Sequence, residues 1–321
     1  MKPTEVQKII AKIDKNVNSK KWKCIINGCN ENAINSHLLQ QNGVLDNVSE
    51  NGHLVEVKPT DIFKWSPNEI PIEMKKIGIK KAFSLPLFCN HHDTELFKEV
   101  ETHPIDLSDY RIQLLLSYRV VCSEIRKKEV VLDKHNRILN AQTLRGNIDL
   151  EIIENLVKGS ELGIQDLSFY RKLVDQELQE NNNDFKFKIY KYPLIKVYGS
   201  AIFSPTHQIV NPERDDPFES VFIHIIPDQN YLNVIIGYHK QHSTSWIEEY
   251  VESWKGLDME PLEEKLTDLF AVHIENWGMS PLIKEKIDSK TIDSFYEFSE
   301  SNFFLNNSRT VNLFEDNNYG T

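Results

Sequence analysis

FCNHHDTELF, residues 88–97, places a cysteine, two adjacent histidines and an aspartate at the start of a predicted helix. Thiolate and imidazole groups are the ligands that zinc prefers in proteins, whereas a carboxylate also suits harder cations such as Mg²⁺. A structural zinc ion takes four ligands in a tetrahedron. The meaning of this stretch therefore depends on the ligands that the rest of the chain supplies.

A close cysteine pair, Cys24 and Cys29, lies upstream in the sequence CIINGC. Two thiolates at this spacing, with a glycine before the second, are typical of a tight knuckle around one zinc ion. Cys89 and His92 lie three residues apart where a strand gives way to a helix, and they supply the two remaining ligands. The sequence therefore predicts a structural zinc site with the ligand pattern of a treble clef. The alternative is that these are unrelated thiols and surface histidines.

Composition limits the class of protein. The chain has 321 residues, of which 40% are hydrophobic and 26% charged, as expected for a soluble globular protein with room for two modest domains. No apolar run approaches the roughly 18 residues of a membrane span, and charge interrupts the N-terminal segment, so we expect a cytoplasmic protein without a membrane partner. The net charge of -11 opposes a simple nucleic-acid coat protein but is compatible with a local basic site or a partner that completes one.

The residue patterns predict an α+β fold with a zinc-stabilised ββα-metal module, a helical middle and a C-terminal antiparallel sheet with helices. Residues 220–226 and 231–239 are expected to form a hairpin. The glycines at 159 and 163 predict a break in the second long helix. The four expected parts are an amphipathic helix at 1–21, the zinc module at 22–105, helices at 106–183 and an α+β unit at 184–321.

Single residues outside the zinc module also carry predictions. Cys122 lies in a strongly helical stretch and is expected to be a buried core thiol. A polar network at the interface with the zinc module is expected from four residues of the same helix, Tyr118, Arg119, Glu124 and Arg126, with ordinary helical ion pairs as the alternative. Lys186 and Lys188 alternate with aromatic residues, which favours the solvated side of a sheet over a nucleic-acid contact.

Between the two zinc half-sites, AINSHLL carries His37 on a predicted strand, and ENGHLVEV carries His53 on a second one. Together with the Cys and Cys/His pairs, this order resembles the HNH nucleases, whose fold is a hairpin and a helix around a catalytic metal ion. The resemblance covers about residues 22–101. It departs from the family pattern at Ser36, where a metal-binding His or Asp is usual, and in a long insertion at residues 58–84.

The resemblance implies roles for individual residues. Cys24, Cys29, Cys89 and His92 match the structural zinc ligands, with His92 in place of the usual fourth cysteine. His37 matches the general base that activates water. Asp93 falls where the family has a metal-binding histidine on the helix and would hold Mg²⁺ or Mn²⁺, and His53 or Asn51 would orient the base. The alternatives are a hydrogen-bonded structural histidine for His37, a helix N-cap or zinc-ligand partner for Asp93, and a structural role for His53.

The expected activity is therefore metal-dependent hydrolysis of phosphodiester bonds, in DNA more than in RNA. Family association suggests an effector of a bacterial antiphage or restriction system, and the acidic balance suggests a protein partner or self-assembly for target binding. The alternative is a catalytically inactive zinc-binding structural or interaction protein, whose C-terminal domain recognises a partner or ligand.

Overall fold

The computed structural model describes residues 3–64, 71–102, 104–204, 217–303 and 311–315, which form the expected mixed α+β fold. The helices are α1 (Pro3–Asn18), α2 (Asp46–Val48), α3 (Asn90–Phe97), α4 (Tyr110–Asn140), α5 (Leu150–Glu180), α6 (Ser245–Glu252), α7 (Met259–Asp268), α8 (Pro281–Lys286) and α9 (Ser289–Phe303). The strands are β1 (Asn35–His37), β2 (His53–Pro59), β3 (Ile72–Gly78), β4 (Ser84–Pro86), β5 (Phe185–Pro193), β6 (Val197–Phe203), β7 (Val221–Pro227), β8 (Tyr231–His239) and β9 (Trp277–Met279). Short 3-10 or π turns lie at Gln41–Leu45, Ile62–Lys64, Gln142–Leu144 and Leu269–His273.

Seven strands form one antiparallel sheet in the order β3-β2-β9-β6-β7-β8-β5, and β1 pairs with β4 separately. The predicted hairpin is confirmed as β7 and β8. Its turn is closed by Asp228, whose carboxylate accepts hydrogen bonds from the backbone N–H groups of Asn230 and Tyr231, both at 2.7 Å. The large sheet thus combines strands from the predicted zinc-binding segment, residues 22–105, with strands from the C-terminal half.

Both faces of the central strands are buried, because each face packs against helices. Val221, Ile223 and Ile225 of β7 enter a core that includes residues of α6 to α9. Phe222 and Ile226, which alternate with them, enter a second core shared with α4 and the zinc-binding segment. Such β-branched and aromatic runs are typical of strands buried on both sides.

The helical middle is an antiparallel pair, α4 and α5. Burial of the Cys122 thiol on α4 is complete and raises its pKa to about 12, as expected for a core thiol. The predicted break at Gly159 to Gly163 is wrong, since α5 is continuous. A Cβ at position 163 would lie 2.7 Å from Cε of Lys128 on α4, so the flexible end of that lysine side chain occupies the space beside the glycine. Glycine within a helix costs about 1 kcal/mol relative to alanine, and α5 continues through it.

The buried carboxylate of Glu56 connects β2 to its surroundings. It accepts hydrogen bonds from the backbone N–H of Phe83 at 2.6 Å and from the hydroxyl of Tyr198 on β6 at 2.9 Å, and it pairs with Lys58 at 2.6 Å. Burial, followed by the charge of Glu56, raises the pKa of Tyr198 well above its usual value. A fully partnered carboxylate therefore ties the zinc-binding segment to the large sheet.

Candidate metal centre

The four predicted zinc ligands meet at one point. Their ligand atoms all lie within 4.8 Å of one another. His92 Nδ1 is 3.2 Å from Cys89 Sγ and 3.5 Å from Cys24 Sγ, and the Sγ atoms of Cys29 and Cys89 are 3.9 Å apart. Zinc bond lengths of about 2.3 Å to sulfur and 2.0–2.1 Å to nitrogen place tetrahedral ligands about 3.5–3.8 Å apart. The set therefore fits a metal ion such as zinc, and none of these cysteines forms a disulfide.

The cysteine pair is held by a tight turn. Gly28 has a φ of +79°, which is the left-handed conformation that glycine adopts without steric cost. The backbone N–H of Cys29 donates to the carbonyl of Ile26 at 3.0 Å, and that of Cys24 donates to the carbonyl of Glu31 at 2.9 Å. The glycine noted in the sequence thus lets the chain reverse and bring both thiols to one side.

The second half-site lies at a strand-to-helix junction, as predicted. Cys89 is the N-cap residue of α3 and follows β4 closely. The resemblance implied a hairpin between the strands of His37 and His53, and that pairing is wrong: β1 pairs with β4, in the register His37 to Ser84. The strand of His53, β2, has two buried apolar side chains, Leu54 and Val55, and instead pairs with β3 and β9 in the large sheet. The strand–strand–helix unit at the metal centre is β1, β4 and α3.

The two buried thiols differ electrostatically. The backbone N–H of His92, in the first turn of α3, is the main cause that lowers the pKa of Cys89. Burial raises the pKa of Cys24. A bound cation would favour the thiolate form of both groups, because a coordinating thiol is deprotonated.

His37, the predicted general base, is half-buried at the end of β1. Its Nε2 lies 3.2 Å from the backbone carbonyl oxygen of Ile79. A carbonyl oxygen only accepts hydrogen bonds, so Nε2 carries the proton in the neutral ring, and Nδ1 is left as the unprotonated nitrogen. His53 is exposed, and its Nδ1 lies 2.8 Å from the carbonyl of Asn51. Both histidines lie next to the same short segment: the side chain of His37 contacts the carbonyl of Ile79, and His53 pairs with Gly78, the residue before it.

Asp93 lies in the first turn of α3, directly after His92, and is partly buried. The N-cap alternative is wrong for this residue because Cys89 occupies that position. Its Oδ1 is buried without a hydrogen-bond partner among the described residues. Ser36, the residue before His37, is buried, and its hydroxyl accepts a long hydrogen bond of 3.4 Å from the backbone N–H of Phe88. His91 is exposed.

The predicted network between α4 and the zinc-binding segment is confirmed for two of its four residues, Arg119 and Arg126. Glu124 instead forms the helical ion pair of the alternative, with Lys127 at 2.9 Å, and the hydroxyl of Tyr118 accepts from Arg171 on α5. Arg119 is 1% exposed, donates to Glu101 at 2.8 Å and lies over the ring of Phe97 at 4.0 Å. Arg126 donates to the carbonyl of Lys23, next to the first zinc ligand, at 2.7 Å. These contacts fix the position of α3 and of the cysteine knuckle against α4. The carbonyl of Ile79 and the carboxylate of Glu56 were not predicted, since neither position carries a sequence signal.

Comparisons of the chain with protein-family models, with curated proteins and with solved structures returned no match. Among the described residues, the Cys and His cluster is the one group of three or more metal-ligating side chains close enough to share an ion. None of the helices within the described ranges has the length and apolar character needed to cross a bilayer.

Proposed function

We propose that the protein is a metal-dependent nuclease in which Cys24, Cys29, Cys89 and His92 hold a structural zinc ion and His37 is the general base. The observation that supports this proposal most directly is the tautomer of His37, in which Nε2 carries the proton. Because Nε2 donates to the carbonyl of Ile79, Nδ1 keeps a free lone pair for the proton of a water molecule. Histidine is the side chain that most often serves as a general base in enzymes.

Asp93 is the proposed ligand of a catalytic Mg²⁺ or Mn²⁺ ion. Its buried Oδ1 lacks a hydrogen-bond donor, which is the condition in which a carboxylate oxygen favours a cation. Such an ion would stabilise the charge that develops on the phosphate and on the leaving oxygen. His37 would take the proton of the attacking water, and the structural zinc would hold the cysteine knuckle and α3 in fixed relation. His53, beside the same segment as His37, has the supporting role.

The substrate we propose is DNA in preference to RNA. The excess of 48 acidic over 37 basic residues supports a protein partner or self-assembly that supplies part of the binding surface. Action as an antiphage or restriction effector is a prediction that comes from the HNH resemblance alone, whereas the cytoplasmic location is a prediction that comes from the composition.

A specific observation favours a second candidate, a zinc-stabilised interaction protein without catalysis. Ser36 replaces a usual metal ligand, and its hydroxyl is engaged with the backbone of Phe88. A catalytic ion would therefore have Asp93 as its single carboxylate ligand and would depend on substrate phosphates to complete its shell.

The test is cleavage of plasmid DNA and of single-stranded RNA by the zinc-loaded protein with Mg²⁺ or Mn²⁺. We expect His37→Ala to lower the rate roughly 10²- to 10⁴-fold, the usual contribution of a general base. Asp93→Asn should shift the metal concentration needed for cleavage, whereas His91→Ala, a neighbouring exposed histidine, should cleave normally. Wild-type rates in His37→Ala would refute the catalytic assignment. Inactivity of the wild-type protein on both substrates would favour the interaction protein.

A further inference from the structure

A cavity of about 500 Å³ opens beside the metal centre and is separate from the strand that carries His37. Its volume is in the range that holds small organic ligands. Four elements form its wall: the cysteine knuckle, α3, α4 and α5. The lining includes Glu95, Leu96, Arg111, Tyr118, Arg171 and Asp175.

One wall of the cavity carries a donor and an acceptor side by side. Arg171 and Asp175 lie one turn apart on α5, with Arg171 Nε 3.9 Å from Asp175 Oδ2. Arg171 also donates to the hydroxyl of Tyr118 over a long 3.4 Å. The Nε of Arg171 is buried and has no hydrogen bond among the described residues. The Asp175 side chain is 39% exposed and lines the cavity, and it also interacts with the hydroxyl of Tyr118. This wall therefore holds a loosely partnered ion pair that can reorganise around a ligand.

The rim carries a second arginine with spare donors. Arg111 is half-exposed and uses Nε for Glu99 at 3.0 Å and Nη1 for the carbonyl of Leu178 at 3.4 Å. Its Nη2 makes no hydrogen bond to the described residues. The N–H groups of Nη2 can therefore donate to a phosphate oxygen.

The charges of the cavity exclude a plain inorganic anion as the best ligand. The two arginines are balanced by Glu95 and Asp175, so the lining has no net charge. Such a lining suits a ligand that presents hydrogen-bond donors and acceptors on one edge, with a flat apolar body between the leucine side chains. A nucleobase has this form, and its polar edge is read by side chains in this way.

Among the bases, guanine matches the pair on α5. A carboxylate has two acceptor oxygens, and guanine is the common base with two adjacent donors, N1–H and the N2 amino group, on its pairing edge, next to the O6 acceptor. We propose that the cavity binds a guanine nucleotide, with Asp175 accepting from N1–H and N2, Arg171 donating to O6, and Arg111 contacting the phosphate. The nucleotide is either free or the exposed residue of a single strand. This site does not depend on the proposed nuclease activity.

Calorimetric titration of the zinc-loaded full chain with GMP tests the proposal, with AMP, guanosine and inorganic phosphate as comparisons. We expect one GMP per chain and at least about tenfold weaker binding of AMP, because the adenine edge would leave a charged acceptor unpaired. Two pentanucleotides, pentathymidine and the same strand with one central guanine, distinguish the sources. Preference for the guanine pentanucleotide over GMP would identify a strand as the ligand.

Three variants make the test specific. Asp175→Asn should weaken binding of GMP or of the guanine strand at least about tenfold. Arg111→Gln, on the half-exposed rim, should weaken GMP but leave guanosine unchanged. Glu161→Gln, on an exposed part of α5, is the matched control and should bind normally. Zinc content and melting temperature verify folding. The proposal is overturned if neither GMP nor the guanine strand binds, if AMP or phosphate binds as tightly as GMP, or if Arg111→Gln binds like wild type.

Discussion

Acidification is expected to destabilise the fold through His224, which lies on β7 between the sheet and α4. Its side chain is completely buried. Ser117 on α4 donates its hydroxyl to the carbonyl of Gln113 at 2.8 Å, so its oxygen is an acceptor for His224 Nε2 at 3.4 Å. His224 Nδ1 therefore accepts from the hydroxyl of Ser200 at 2.6 Å. Both ring nitrogens are thus satisfied in the neutral state.

Burial lowers the pKa of His224 to about 3, whereas the unfolded chain has the ordinary histidine value of roughly 6.5. Between these values the unfolded state binds a proton that the folded state excludes. The stability that the neutral ring contributes is therefore complete above the unfolded pKa and is lost as the pH falls toward the folded one. From pH 7 to pH 5 the loss is about 2 kcal/mol for this one group.

Urea unfolding of wild type and His224→Gln at pH 7 and pH 5 measures this contribution. Glutamine removes the titration while keeping a donor and an acceptor. The metal centre also responds to acid, since its ligands bind protons as the metal leaves, but that effect is common to both proteins and cancels in their difference. His53→Gln, at an exposed position, should keep the wild-type pH dependence. If His224→Gln lost as much stability as wild type between the two pH values, the account of a neutral buried histidine would be refuted.

Three further predictions concern the metal centre and the sheet. Cys29→Ser should lower bound zinc well below one equivalent by elemental analysis and lower the melting temperature, while Cys122→Ala should retain the zinc. Gly278→Ala should destabilise by about 1–3 kcal/mol in urea, because its Cβ would lie 2.7 Å from a backbone carbonyl oxygen of β2; an unchanged midpoint would contradict this packing. Tyr198→Phe should cost about 1.5–3 kcal/mol, since it removes a hydrogen bond to the buried carboxylate of Glu56, and a second change to Gln at position 56 should recover part of the loss.

The cluster of Cys24, Cys29, Cys89 and His92 could be predicted from sequence because each pair is local: a knuckle and a strand-to-helix junction fix their own geometry. The role of glycine at position 28 follows from the same local argument. The partner of β1 could not be predicted in this way. Residues 53–57 have the stronger strand pattern, yet β1 pairs with the three-residue strand at 84–86, because long-range burial decides which strands join the large sheet.

Contacts between residues far apart in the sequence could not be predicted either. The carbonyl of Ile79, which sets the tautomer of His37, belongs to a position whose side chain says nothing about its backbone oxygen. Arg171 and Asp175 have the spacing of an ordinary helical ion pair, and only the packing of α3 and the knuckle against α4 and α5 makes them the wall of a cavity. Side chains that are close in sequence could therefore be predicted to act together, whereas the long-range contacts that surround them could not.

The position of β9 has a consequence for the order in which the chain can fold during synthesis. Met279 pairs with Val55 on one side and with Val197 on the other, so a three-residue strand near the end of the chain joins the two halves of the sheet. Until the ribosome has released this segment, β2 and β6 both present unpaired edges, which are templates for association with other chains. Closure requires contacts between residues more than 200 positions apart, which makes it slow. We therefore expect nascent chains to depend on chaperones until residue 279 has emerged.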